Sequence, residues 1–152
     1  MDASGATASD GRRPAGRASP ASRRAGYAVA VAVNGLLLVL IHGWPGWETL
    51  PVLTEQTVEV LPAVDASVVV SIVANLVYLV VDPPRLRALG DVVTTAVGLV
   101  AVVTIWVVFP FAFTGSFDWA PVVRVLLVIA VVGSTIAIVV GLVRLATGRS
   151  SS

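Results

Sequence analysis

The stretch VVTTAVGLVAVVTIWVVFPFAFTGSF, residues 92–117, runs 26 residues without a formal charge. An α-helix needs about 20 apolar residues to cross the hydrocarbon core of a bilayer. Valine favours strands in water. A transmembrane strand, however, is about 10 residues long with alternating polar and apolar sides, and this run is longer and apolar on both. The stretch therefore reads as a membrane helix. Three further runs repeat the pattern: residues 25–47 hold 23 uncharged positions, residues 66–81 hold 16 and residues 125–143 hold 19. The 16-residue run is short for a span at about 1.5 Å per residue, and the VLPAV before it extends it. Pro121 suits a first helical position and starts the fourth helix a turn early.

Composition agrees. Hydrophobic residues make up 57% of the 152 and charged residues only 12%, against about 25% charged in a soluble domain. So few charges cannot cover a globular surface, and lipid becomes the solvent for much of the chain. Cysteine is absent, which removes disulfides, thiolate metal sites and cysteine nucleophiles. All ten basic residues are arginine.

The expected fold is all-α: a polytopic membrane protein with four transmembrane helices in a bundle. The spans are expected at about 26–42, 66–81, 92–113 and 121–145, within a bundle of residues 25–147. Residues 1–24, rich in Gly, Ala, Ser, Pro and Arg, read as a disordered tail with too little apolar surface to offset ordering entropy. Residues 148–152 form a second short tail. No small-x-small cleavage pattern follows the first run, so it reads as an uncleaved span.

Nine of the ten arginines fall on one side of this arrangement, and Arg124 alone on the other. The positive-inside rule then places both termini in the cytoplasm. Glu48, Glu55, Glu59, Asp65 and Asp118 fall on the outer side. The four tryptophans lie in the outer half, where an aromatic belt is expected, with Tyr27 as the inner counterpart. Within IHGWPGWETLP (41–51), Gly43, Pro45 and Gly46 end the first helix and Trp44 and Trp47 sit at headgroup depth.

The connections carry further expectations. In DPPRLRALGD (82–91), Asp82 is expected to cap a short helical turn, Gly90 to end it and Asp91 to cap the third span, with Arg85 and Arg87 toward lipid phosphates. In the outer loop, TEQTVEVL (54–61) suits a short interfacial helix, and Asp65 suits an N-cap of the second span.

Asn34, Asn75, Thr104, Ser134 and Thr135 fall near the bilayer midplane. Hydrogen bonds between helices are the expected use of these groups, and a small polar cavity is the functional alternative. Gly133, Ala137 and Gly141 repeat at intervals of four and form a small stripe for helix packing. No formal charge lies deep in the spans, which argues against proton pumps, voltage sensors and ion-coupled carriers.

Reactive constellations are missing. The sequence has no P-loop, GxGxxG, HExxH or GxSxG, and its one histidine cannot build a His-rich metal site. No catalytic residue, cofactor, metal or nucleic-acid partner is implied. The candidate outer-interface cluster is His42, Glu48, Asp118 and Arg124, with Arg124 expected to reach Asp118 or a lipid phosphate.

The segments GWPGWETLPVLT, ANLVYLVVDPPRLRALGDVVTTAVGLV and FPFAFTGSFDWAPVVRVLLV, within residues 41–142, resemble the small uncharacterised four-span integral membrane proteins of GC-rich actinobacteria. The resemblance implies a four-helix fold in the bacterial plasma membrane and no catalytic residues. The expected function is an accessory, scaffold or assembly subunit of a membrane complex, with lipid and a membrane protein or a second copy as partners. A small oligomeric channel or transporter, or a lipid-modifying enzyme at the outer interface, are the alternatives.

Overall fold

The computed structural model describes residues 19–148. Most of the expected N-terminal tail, Arg149 and the last three serines lie outside the described residues. The elements are α1 (Pro20–His42), a 3₁₀ turn (Trp47–Thr49), α2 (Thr57–Val80), α3 (Pro84–Val108) and α4 (Ala120–Thr147). All four helices are long and apolar enough to cross a membrane. The chain is an all-helical, multi-pass membrane protein.

Each helix starts before its uncharged run, and local chemistry explains why. α1 starts at Pro20 rather than near 26: the Ser19 hydroxyl accepts from the Ser22 N–H at 3.1 Å, and Pro20 takes the first position. Arg23 and Arg24 are therefore helical, not part of a disordered tail. α2 starts at Thr57 rather than 66 and runs through Pro62. The expected interfacial helix at 54–61 and the second span are thus one helix, and Asp65 lies inside it instead of capping it. α3 starts at Pro84 rather than 92, so Gly90 and Asp91 are interior positions and neither stops nor caps. Its end comes at Val108, earlier than the expected 113, because Phe109 turns left-handed at φ 47° and Pro110 follows. α4 extends the expected span by one residue at its start and two at its end.

The helix backbones pack in chain order, α1 on α2, α2 on α3 and α3 on α4; among the described residues α1 and α3 meet through the Arg87 and Tyr27 side chains, and α1 and α4 do not pack on one another. The four-helix unit is thus an open row of antiparallel neighbours. Its arginine-rich end gathers the start of α1, the α2–α3 junction, and the end of α4. At the tryptophan-rich end, the α1–α2 and α3–α4 connections pair. Leu53 bridges Phe111, Thr54 N–H donates to the Pro110 carbonyl at 3.0 Å, and Ala112 N–H donates to the Val52 carbonyl at 2.9 Å. Pro110 is fully buried beneath this clasp.

All buried helical residues belong to the two central helices: Thr57, Val60, Val68 and Tyr78 on α2, and Ala101 on α3. α1 and α4 bury none. Their exposed valines and leucines are ordinary for helices whose outer faces meet acyl chains.

At Gly90 the Tyr78 side chain of α2 lies directly against the α3 backbone. A Cβ there would overlap the Tyr78 hydroxyl, while a Cβ at Gly98 meets nothing within 4 Å. Tyr78 is only 5% exposed and a rigid ring has little room to withdraw. We expect Gly90→Ala to destabilise the protein by about 1–3 kcal/mol through overpacking. Gly98→Ala is expected to be neutral or to stabilise by up to about 1 kcal/mol through helix propensity. Thermal unfolding of the two purified variants in detergent checks both.

Candidate functional site

The densest polar chemistry among the described residues lies at the arginine-rich end, where three helix ends meet at Asp82. Arg23 of α1 donates its Nε–H to Asp82 Oδ2 at 3.1 Å, and Arg87 of α3 donates its Nε–H to Asp82 Oδ1 at 3.1 Å. The Tyr27 hydroxyl donates to the same Oδ1 at 3.2 Å and accepts from Arg87 at 3.3 Å. The Tyr78 hydroxyl lies 3.1 Å from the Arg87 carbonyl and 3.3 Å from Asp91 Oδ1, so its one proton is shared. The Tyr27 and Tyr78 rings pack at 5.4 Å between centroids.

Desolvation pushes the Asp82 carboxyl upward, but the hydrogen bonds from Arg23 and Tyr27 and the charges of Arg87 and Arg23 outweigh it, and the group sits below the usual carboxylate range. Asp82 therefore ties helices together and does not cap: the N-cap of α3 is Pro83, and no side chain caps that end. Arg87 turns inward to Asp82, leaving Arg85 as the exposed arginine of this turn. The charges were visible in the sequence, each beside a run end. Their convergence depends on helices starting earlier than the uncharged runs suggest.

Beside this knot opens a cleft of about 1030 Å³ with walls from all four helices. Tyr27, Tyr78, Arg85, Arg87, Asp91 and Arg144 line its polar part, and Gly133, Ala137 and Val140 continue it along α4. The small stripe on α4 is thus divided. A Cβ at Gly141 would stand 2.5 Å from Val92 Cγ2, whereas Gly133 has nothing within 4 Å. Only the Gly141 end packs a helix, and the Gly133–Ala137 part faces open space.

The expected outer cluster is dispersed. His42 Nε2 lies 2.8 Å from Asp65 Oδ1, a partner one helix away. Glu48 is exposed on the 3₁₀ turn with no ion pair among the described residues. Asp118 accepts from the Ala120 N–H at 3.0 Å where α4 begins. Arg124 reaches neither Asp118 nor another acid; its guanidinium lies 4.6 Å from the Phe109 ring centroid and 5.7 Å from that of Trp106. A ring face attracts the cation, and the left-handed turn at Phe109 puts its ring in reach.

The midplane groups do not join helices either. Asn34 donates to the Ala30 carbonyl at 2.8 Å, Asn75 to Ser71 at 2.7 Å, Thr104 to Val100 at 2.8 Å and Thr135 to Val131 at 2.8 Å. Each bond stays within its own helix, one turn back, and Ser134 makes none among the described residues. In hydrocarbon the nearest carbonyl is the cheapest acceptor.

A second concavity, of about 410 Å³, lies under the clasp at the tryptophan-rich end. Leu37, Trp47, Leu53, Val60 and Phe111 are among its apolar walls. Its lining includes Thr57, a residue 4% exposed, whose hydroxyl has no hydrogen-bond partner. No group of three or more His, Cys, Asp or Glu that could hold a metal ion occurs among the described residues. Comparison with protein-family models, curated proteins and solved structures finds no match.

Two outcomes are expected. Asp82→Asn should destabilise the protein by about 1–2 kcal/mol, more than an isolated exposed pair contributes. Because the folded carboxyl titrates below its unfolded value, the stabilisation is full above about pH 4 and is lost as pH falls through the folded pKa. An unfolding series from pH 7 to 3 should show that acid loss in the parent and not in Asp82→Asn. Thr57→Val removes a buried hydroxyl that has no partner and should raise stability by about 1 kcal/mol, read as a higher midpoint in denaturant titration.

Proposed function

We propose that this chain is a non-enzymatic accessory, scaffold or assembly subunit of a membrane complex in a bacterial plasma membrane, with both termini in the cytoplasm. One observation carries the reading: α1 and α4, the flanks of the row, bury no residue and do not pack on one another. A row left open at both flanks can extend by adding helices from another chain or a second copy. On α1, Gly26 and Gly35 have open space where a Cβ would stand, the kind of small surface that lets transmembrane helices approach closely. The resemblance to actinobacterial four-span proteins and the arginine bias support the location and orientation.

The alternatives find less support. A pore needs polar groups free to face a solute, and four of the five midplane side chains are bonded to their own helices. An enzyme at the outer interface needs a converging set, and His42, Asp118 and Arg124 take separate partners while Glu48 pairs with none among the described residues.

Photo-cross-linkers placed singly at Val33 and Leu36 of α1 and at Val132 and Val139 of α4, all exposed, test the reading in intact membranes. A discrete protein adduct from at least one flank is expected, and His42→Ala should leave it unchanged. Adducts with lipid alone from every position would overturn the proposal, as would loss of the adduct in His42→Ala at unchanged protein level.

A further inference from the structure

We propose that the cleft at the arginine-rich end binds one anionic phospholipid of the adjoining leaflet, with its phosphate on Arg85 and Arg144 and an acyl chain along Gly133 and Ala137 of α4. The inference is independent of the scaffold reading, since it concerns what fills a cleft within one chain.

Charge comes first. Three arginines and one aspartate line the cleft. Arg87 is held by Asp82 and Tyr27, and the Asp91 carboxylate accepts from Tyr78. Arg85 and Arg144 have no acidic partner among the described residues, so two guanidinium groups face the cleft with their charge uncompensated. Their planar forks match the oxygens of a phosphate. The start of α3 lies at the same place and adds to the positive field, with no acidic residue in its first turn and no capping side chain.

Depth comes second. Arg144 and Gly133 are eleven positions apart on α4, or about 16 Å along the helix at about 1.5 Å per residue. That is about half of a hydrocarbon core of about 30 Å. The cleft therefore runs from headgroup level to near the midplane, the reach of one acyl chain in one leaflet. Its lining changes in the same direction, from arginine and tyrosine to glycine, alanine and valine. Its volume of about 1030 Å³ is at the upper end of small-ligand sites. A free phosphate would use only the charged mouth and leave the apolar length unexplained, which is why the proposal commits to a lipid.

The full chain, purified in a neutral detergent, is titrated with phosphatidylglycerol and with phosphatidylcholine of the same acyl chains, and adducts are counted by native mass spectrometry. Phosphatidylglycerol is expected to bind about tenfold or more tightly, in a one-to-one adduct. The Arg85→Gln/Arg144→Gln double variant should reduce that preference to about twofold or less. Gly133→Leu, which fills open space, should weaken both lipids and keep the preference. Circular dichroism checks that each variant is helical, and the Lys/Lys double variant, which should retain most of the preference, stands in if the Gln pair does not fold. Equal binding of the two lipids overturns the proposal. So does a preference that survives loss of both guanidinium groups, or a Gly133→Leu variant with full lipid binding. Complete displacement of phosphatidylglycerol by millimolar inorganic phosphate would assign the mouth to free phosphate instead.

Discussion

Apolar helices gain little by leaving lipid for one another, because an acyl chain contacts valine about as well as another valine does. Something other than burial must therefore fix which helix stands beside which. In this protein the Asp82 knot does so at one end. One carboxylate holds Arg23 of α1 and Arg87 of α3 at the α2–α3 junction, and so sets the order and antiparallel register of three helices. The opposite end is closed by backbone pairing between two connections over Pro110. The helices also meet at close approaches such as Gly90 under Tyr78 and Gly141 against Val92, and His42 of α1 pairs with Asp65 of α2. Removing Asp82 therefore loosens more than one pair.

The number and type of elements were legible because hydrocarbon thickness imposes a length and the absence of water imposes a helix. Residues 92–117 announce both. Helix ends were less legible. Uncharged runs mark where lipid begins, whereas helices continue past it to where Ser19 caps, or where Pro110 follows a residue that has turned left-handed. Glu59 read as part of a separate interfacial helix and Asp65 as an N-cap for the same reason, although a helix entering the membrane has a polar first turn and α2 runs through both. The end of α1 within 41–51 was legible, since Gly43 follows its last residue, and Gly46 at φ 83° occupies a conformation only glycine adopts easily.

Side-chain partners were the least legible. His42 and Asp65 are 23 positions apart, and Arg23 and Asp82 are 59 apart; nothing in spacing links them until the helices are set side by side. The midplane polar residues show the converse. Their depth was readable, but their choice of acceptor was local: a carbonyl one turn back is always present, and a partner helix must be brought there. The α4 stripe was recognised as small, yet only Gly141 uses its smallness to pack.

The open row has a consequence for how its cleft is filled. α1 and α4 do not meet, so the cleft keeps a side in the plane of the bilayer as well as a mouth at its surface. Whatever occupies it from that side arrives by diffusion in two dimensions and never passes through water. The governing concentration is then a mole fraction in one leaflet, and occupancy follows membrane composition while staying indifferent to dilution of the surrounding solution.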